Sequence, residues 1–166
     1  MTESTDNQIS INTEELLLML RRKIGSWVEW GKACQQLQKS GMIPQAIFEA
    51  TGFEPIQQNQ IIVGAQVFDS MMSVGVPPAT ETHYRRVGSD SLYELRILAT
   101  EDRAATADYL YNRNIDSEGS KEVAKAFKEF SYMRQPPEGF THHPGDAVAY
   151  QYWRYIKQQG DLTEKT

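Results

Sequence analysis

The chain has 166 residues, 40% of them hydrophobic and 23% charged, which is enough to bury a core without a metal or a disulfide to hold it together. Its formal net charge of -5 opposes generic attraction to nucleic acid, because such binding draws on Lys and Arg at phosphates. Cys34 is the single cysteine, which excludes an internal disulfide and fits a cytosol-like, reducing compartment.

The first stretch, "MTESTDNQIS", is polar and acidic and lacks the basic start and apolar centre of a signal peptide. Residues 1–11 therefore read as a disordered arm. No run of about 18 apolar residues is present to cross a bilayer, so no membrane partner is expected. Asn12 or Thr13 is predicted to cap a helix bearing Leu16, Leu17, Leu20 and Ile24, closed by Gly25. Ser26 and Glu29 have the spacing of a capping box and open a second helix with Trp27, Trp30, Cys34 and Leu37 on one stripe. A short helix starts at Pro44, presents Ile43, Ala46, Ile47 and Ala50, and stops at Gly52.

Glu54-Pro55 then begins a longer helix that is apolar nearly all round from Ile61 to Met72, the pattern of an interior helix. The Gly- and Pro-rich "SVGVPPAT" breaks the pattern and marks an internal boundary. Beyond it, "SDSLYELRIL" predicts a helix from Ser89 or Asp90, and "TEDRAATADYLYNRN" one from Thr100 with Glu101 and Asp102 in its first turn. "SKEVAKAFKEF" sets Val123, Phe127 and Phe130 opposite Lys121, Lys125 and Lys128. "QPPEGFTHHPGD" reads as a loop. The last helix, "PGDAVAYQYWRYIKQQ", is expected to turn Val148, Tyr152 and Ile156 to the bundle, with Trp153 and Tyr155 on its flanks. No stretch alternates with period two, so the fold class is all-α. A helix-turn-helix-like subdomain (12–75) is expected to pack on a second helical-bundle subdomain (76–158), with 159–166 beginning a flexible linker.

The pair of helices around Gly52 raises DNA reading as the alternative function, since Gln57, Gln58, Asn59 and Gln60 occupy the first turn of the second helix, where adenine readers sit. Between Gly41 and Thr82, however, there is no Lys or Arg, while Glu49, Glu54, Asp69 and Glu81 add negative charge. Phosphate anchoring is missing there, and the four amides are assigned to a solvated or partner-facing tip. His142 and His143 beside Asp146 match no metal-ligand spacing, and Cys34 on an apolar stripe reads as a small buried hydrophobe. No phosphate loop, nucleophile elbow or paired-carboxylate motif is present. The expectation is a protein-binding module with no catalytic residues, no metal and no cofactor. Aromatic and Arg side chains dominate protein interfaces, which directs attention to Tyr84, Arg85, Arg86 and Arg154. These four are expected to line a groove where the two subdomains meet.

The order of "WVEWGKACQQLQKSGMIPQAIFEATGFEPIQQNQIIVGAQVFDSM", "YELRIL", "EDRAATADYLYNR" and "HHPGDAVAYQYWR" resembles the N-terminal helical domain of the Rubisco accumulation factor 1 family of cyanobacteria and plants. The likeness covers nearly the whole chain after the polar arm. It implies an assembly chaperone, not an enzyme, that takes the Rubisco large subunit after chaperonin folding and promotes the octameric core until small subunits displace it. It implies cyanobacterial cytoplasm or chloroplast stroma as the compartment. It also implies that full-length members form homodimers through a C-terminal β domain absent from this chain, so this fragment is expected to be monomeric.

Overall fold

The structure is a computed structural model that describes the backbone of residues 2–133 and 135–164, with side chains described for 12–133 and 135–158. Its regular elements among these residues are all helical. The first helix, α1 (Thr2–Arg22), starts well before the predicted cap at Asn12 or Thr13. Residues 2–22 contain no Gly or Pro, and extending a formed helix costs little where nothing breaks it. Its end also differs from expectation. Lys23, with φ 52°, takes the left-handed position, with Lys23 N donating to Leu20 O and Ile24 N to Met19 O, the paired bonds of a Schellman stop. Gly25 lies beyond, where a Cβ would run into the Glu29 carboxylate.

That carboxylate is occupied as the sequence predicts. In α2 (Trp27–Lys39), Ser26 N donates to Glu29 Oε2 at 2.8 Å and Glu29 N to Ser26 Oγ at 3.4 Å, completing the capping box. Trp27, Cys34 and Leu37 are buried, while Trp30 is half-buried against the Phe53 ring. Burial pushes the Cys34 thiol up to about 11, so it remains protonated at neutral pH and packs as a small hydrophobe.

Helix α3 (Pro44–Thr51) begins with Pro44 in the first turn and ends at Gly52, whose φ of 87° is the left-handed cap. Ile47 is buried, whereas Ile43, the N-cap residue, is exposed. Gly52, Phe53 and Glu54 turn the chain into α4 (Pro55–Val74), giving the helix-turn-helix outline. Glu54 and Gln57 close a second capping box that the sequence reading left unremarked. Helix α4 is the spine of the fold and packs against α2, against α6 (Ser89–Glu94) and against α7 (Thr100–Asn112). Two glycines set the crossings. A Cβ at Gly31 would lie 2.2 Å from Ile61 O, and one at Gly64 would lie 3.1 Å from the Trp27 ring and 3.2 Å from Ser89 O.

The four-amide tip is corrected at its second member. Gln58 has 0% exposure. Its Nε2 donates to Phe53 O at 2.7 Å and to Pro44 O at 2.9 Å, and its Oε1 accepts from Gln38 Nε2 at 3.1 Å. Gln58 therefore fastens α2, α3 and the turn to α4. Gln60 is half-buried and donates to Ser89 Oγ, which leaves Gln57 and Asn59 as the exposed pair.

After the Gly75–Pro77 turn comes an element the sequence reading passed over, α5 (Pro78–Arg86). A 3-10 turn (Leu95–Ile97) follows α6. Helix α7 starts at Thr100 with Glu101 and Asp102 in its first turn, as predicted. Helix α8 (Ser117–Ser131) is capped by Asp116, whose carboxylate accepts from Gly119 N at 2.8 Å, so it begins earlier than the "SKEVAKAFKEF" pattern suggested. Val123, Phe127 and Phe130 are buried, and Lys121 and Lys125 are exposed. The last helix, α9, runs Pro144–Glu164. Buried residues from α1 through α9 form one apolar cluster. It runs unbroken across the Val76–Pro78 joint, which is further bridged by Trp27 Nε1 donating to Tyr84 O at 2.8 Å and Arg103 Nη1 donating to Ser70 Oγ at 2.9 Å.

Candidate functional site

Helix α5 carries three of the four residues singled out from the sequence, and its local chemistry explains why it forms. Pro78 has φ already fixed for a first helical turn, Glu81 lies at the positive end of the helix dipole, and His83, Arg85 and Arg86 lie at the negative end. Thr80 and Tyr84, one turn apart, face inward and are buried. Thr80 Oγ1 donates to Asp108 Oδ1 of α7 at 2.6 Å. The Tyr84 ring is only 2% exposed. Burial, with Asp90 and Asp108 nearby, pushes its phenol far above the usual range. Tyr84 thus supports the surface from beneath and does not present its ring to a partner.

Arg85 and Arg86 differ in the same way. Arg85 pairs with Glu81 one turn back at 2.8 Å and lays its guanidinium 5.1 Å from the centre of the Phe68 ring, which closes the edge of the core. Arg86 is exposed and lines a groove of about 400 Å³ with Pro78, Ala79, Thr82, His83 and Tyr111. His83 and Tyr111 have ring centres 5.0 Å apart and form an aromatic wall next to the Arg86 charge.

Arg154 belongs to another surface. It sits on α9 with its guanidinium 6.0 Å from the Tyr150 ring and lines a groove of about 330 Å³ with Tyr150, Trp153, Lys157 and Gln158. The grooves of Arg86 and Arg154 share no residue, so the four residues do not line one seam. Two further expectations about α9 are corrected. Tyr152 and Ile156, predicted to face the bundle, are 67% and 68% exposed, while Val148 packs against the core. Beyond its first turns α9 leaves an open groove beside α7 and α8, which Tyr152 lines, and periodicity alone does not report such a gap.

The "THHPGD" segment is a helix start. Asp146 accepts from Thr141 N at 2.6 Å and from Thr141 Oγ1, while Gly145 N donates to His143 Nδ1 at 3.0 Å. The Gly145 bond satisfies an N–H that an α-helix leaves without a partner at its start, and the Asp146 bonds tie the preceding loop back onto the first turn. Among the described residues, no group of three His, Cys, Asp or Glu is arranged to hold a metal ion. The Thr141 hydroxyl first, and its backbone N–H second, hold the Asp146 carboxyl below its ordinary value. Because the folded pKa is depressed, this cap contributes stability above the ordinary carboxylate range and loses it as pH falls through the depressed value. Thr141→Ala is expected to move the Asp146 titration, followed by carboxyl NMR, back up toward an ordinary aspartate. An unchanged midpoint would show that Thr141 does not set it.

No helix among the described residues is long and apolar enough to cross a membrane. Residues 12–72 match the family profile described as the Rubisco accumulation factor 1 helix turn helix domain, and residues 84–166 match that of the Rubisco accumulation factor 1 alpha helical domain. The chain is 53% identical over 164 residues to RuBisCO accumulation factor 1 of Nostoc sp., an alignment covering 99% of this chain and 45% of that protein. It is 46% identical over 169 residues to the protein of the same name from Synechocystis sp., covering 100% of this chain and 47% of the relative. Rubisco accumulation factor 1.1, chloroplastic, of Arabidopsis thaliana is 31% identical over 158 residues, which is 93% of this chain and 36% of that protein. The chain thus spans somewhat under half the length of these curated relatives. Two profiles matched in succession, and likeness along nearly all of its length, show that the chain belongs to the Rubisco accumulation factor 1 family.

Proposed function

We propose that this chain is the helical, client-binding part of a Rubisco assembly factor and not an enzyme. It binds the Rubisco large subunit after chaperonin folding and promotes dimer and octamer core assembly until the small subunit displaces it. The observation that carries this reading is the succession of the two family matches over 12–72 and 84–166. The surface supports it: Arg86 stands beside the His83–Tyr111 wall, and a charged, aromatic groove suits a contact that must later be released, because polar contacts exchange readily and respond to salt. Acidic or C-terminal segments of the large subunit fit such a groove. In the whole protein, dimerisation through a β domain outside these helices would join two such contacts, and the avidity of the pair exceeds that of one. The compartment follows the relatives, cyanobacterial cytoplasm or chloroplast stroma.

The DNA-regulator alternative draws support from the helix-turn-helix outline alone. Gln58 is turned inward and the segment from Gly41 to Thr82 carries no basic residue. Mixing the chain with unassembled large subunits, and in parallel with labelled duplex DNA, should give a native-gel shift only with the large subunit. Arg86→Glu is expected to weaken that shift about tenfold, as for the minority of interface residues that carry most of the binding energy, while far-UV circular dichroism stays unchanged. A DNA shift that fades steeply with salt, with none for the large subunit, would reverse the assignment.

A further inference from the structure

A groove of about 600 Å³ lies between α7, α8 and α9, and the sequence reading did not identify it. Tyr109, Ile115, Val123, Tyr152 and Tyr155 make it apolar, and Glu122 is the only charged side chain on its wall. None of the ion pairs formed by the described residues involves Glu122. On α9, the rings turned away from this groove are already covered by the chain's own cations, with Arg154 over Tyr150 and Lys157 over Trp153. Tyr152 and Tyr155 are 67% and 60% exposed, and no cation of a described residue lies over either ring. One face of the helix is supplied with its cation–π partners, and the face beside an unpaired carboxylate is not.

Resting on the reading given under Proposed function, we propose that this groove binds an amphipathic segment of the large subunit carrying one Lys or Arg among apolar side chains. The apolar side chains fill the space over Ile115 and Val123, and the cation sits between the Glu122 carboxylate and the Tyr152 and Tyr155 rings. Charge complementarity selects this occupant. An acidic segment would place a carboxylate against Glu122 in an apolar surround, where like charges repel most strongly. A cation there gains both an ion pair and a ring face. Tyr152 and Tyr155 lie three residues apart on one helix face, the spacing at which a helix lays side by side contacts into a partner. The contact is separate from that of Arg86 and opposite to it in charge.

Two measurements test this. In the first, immobilised wild-type chain, the double variant Tyr152→Ser/Tyr155→Ser, and Glu122→Lys are exposed to unassembled large subunits. Both tyrosines and Glu122 are exposed, so folding should be retained and is checked by circular dichroism. The double variant and Glu122→Lys are each expected to lose about tenfold or more in affinity; wild-type affinity in the folded double variant overturns the proposal. In the second, the isotope-labelled chain is titrated with two synthetic amphipathic peptides that differ only in a central Arg or Glu. The Arg peptide should shift the Ile115 and Val123 amides at concentrations where the Glu peptide does not, and equal shifts overturn the proposal. If wild-type chain captures no large subunit at all, the assembly-factor reading fails, and the peptide pair alone decides the chemistry of the groove.

Discussion

Replacing Gly31 by alanine is expected to destabilise the protein by about 2–4 kcal/mol, although the same change on a free helix would favour folding by about 1 kcal/mol. The added Cβ would stand 2.2 Å from Ile61 O, 2.8 Å from Ile61 C and 3.0 Å from the Ala65 Cβ. The first two are backbone atoms of α4, which no rotamer change can move aside. Helices α2 and α4 must therefore part by about an ångström or more to restore ordinary contact distances. Parting them opens the core where Cys34, Ala65 and Phe68 are buried, so the loss of packing outweighs the gain in helix propensity. Gly64→Ala is the contrasting case, since its nearest new neighbours lie at 3.1 and 3.2 Å and a shift of a few tenths of an ångström relieves them. Denaturant midpoints should rank wild type above Gly64→Ala and Gly64→Ala above Gly31→Ala. A Gly31→Ala midpoint equal to wild type would mean that the two helices are free to separate.

Gln58→Leu is the second large expected effect, about 2–4 kcal/mol of lost stability, because it removes three hydrogen bonds from a closed site at nearly constant volume. Pro44 O and Phe53 O lose their amide donor and the Gln38 amide loses its acceptor. Unsatisfied buried polar groups each cost about 1–3 kcal/mol. Gln58→Glu adds a sign test. A carboxylate pointed at two carbonyl oxygens would have its folded pKa raised above the unfolded value. Its penalty is absent below the unfolded pKa and grows as pH rises through the folded one. Chemical denaturation of Gln58→Glu at several pH values should show it closest to wild type in acid. A variant that strengthens as pH rises would contradict the arrangement of donors and acceptors around position 58.

The contrast between Gln58 and Asn59 shows where sequence reading reaches its limit. Both are amides in the first turn of α4, and composition gives no reason to bury one and expose the other. The difference comes from the turn at Gly52–Glu54, which carries Phe53 O to the Gln58 side of the helix. Helix starts were legible where a local signal marks them, as the capping box at Ser26, the first-turn proline at Pro44 and the acidic first turn after Thr100. They were misplaced where a helix simply continues, as upstream of Asn12, or where the cap lies before the obvious apolar pattern, as at Asp116. Helix α5 had a readable signature, Pro78 followed by Glu81 and then by His83, Arg85 and Arg86, but the two prolines drew attention to the break and away from the start. For the candidate surface, the sequence singled out one helix and mixed the roles of its residues. Tyr84, Arg85 and Arg86 are consecutive, and successive helix positions are turned by about 100°, so one is buried, one closes the core edge and one faces solvent.

The bond from Trp27 Nε1 to Tyr84 O constrains its two ends unequally. The donor is a side-chain atom, and among the twenty residues only tryptophan offers an indole N–H at that reach. The acceptor is a main-chain carbonyl, which every residue type supplies. Substitution at position 27 therefore breaks the link across the joint, whereas substitution at position 84 leaves it available and is judged by the fit of the ring against Gly88, whose absent Cβ would lie 2.8 Å from it. Tolerance to mutation at this junction is thus one-sided, strict on α2 for chemistry and on α5 only for shape.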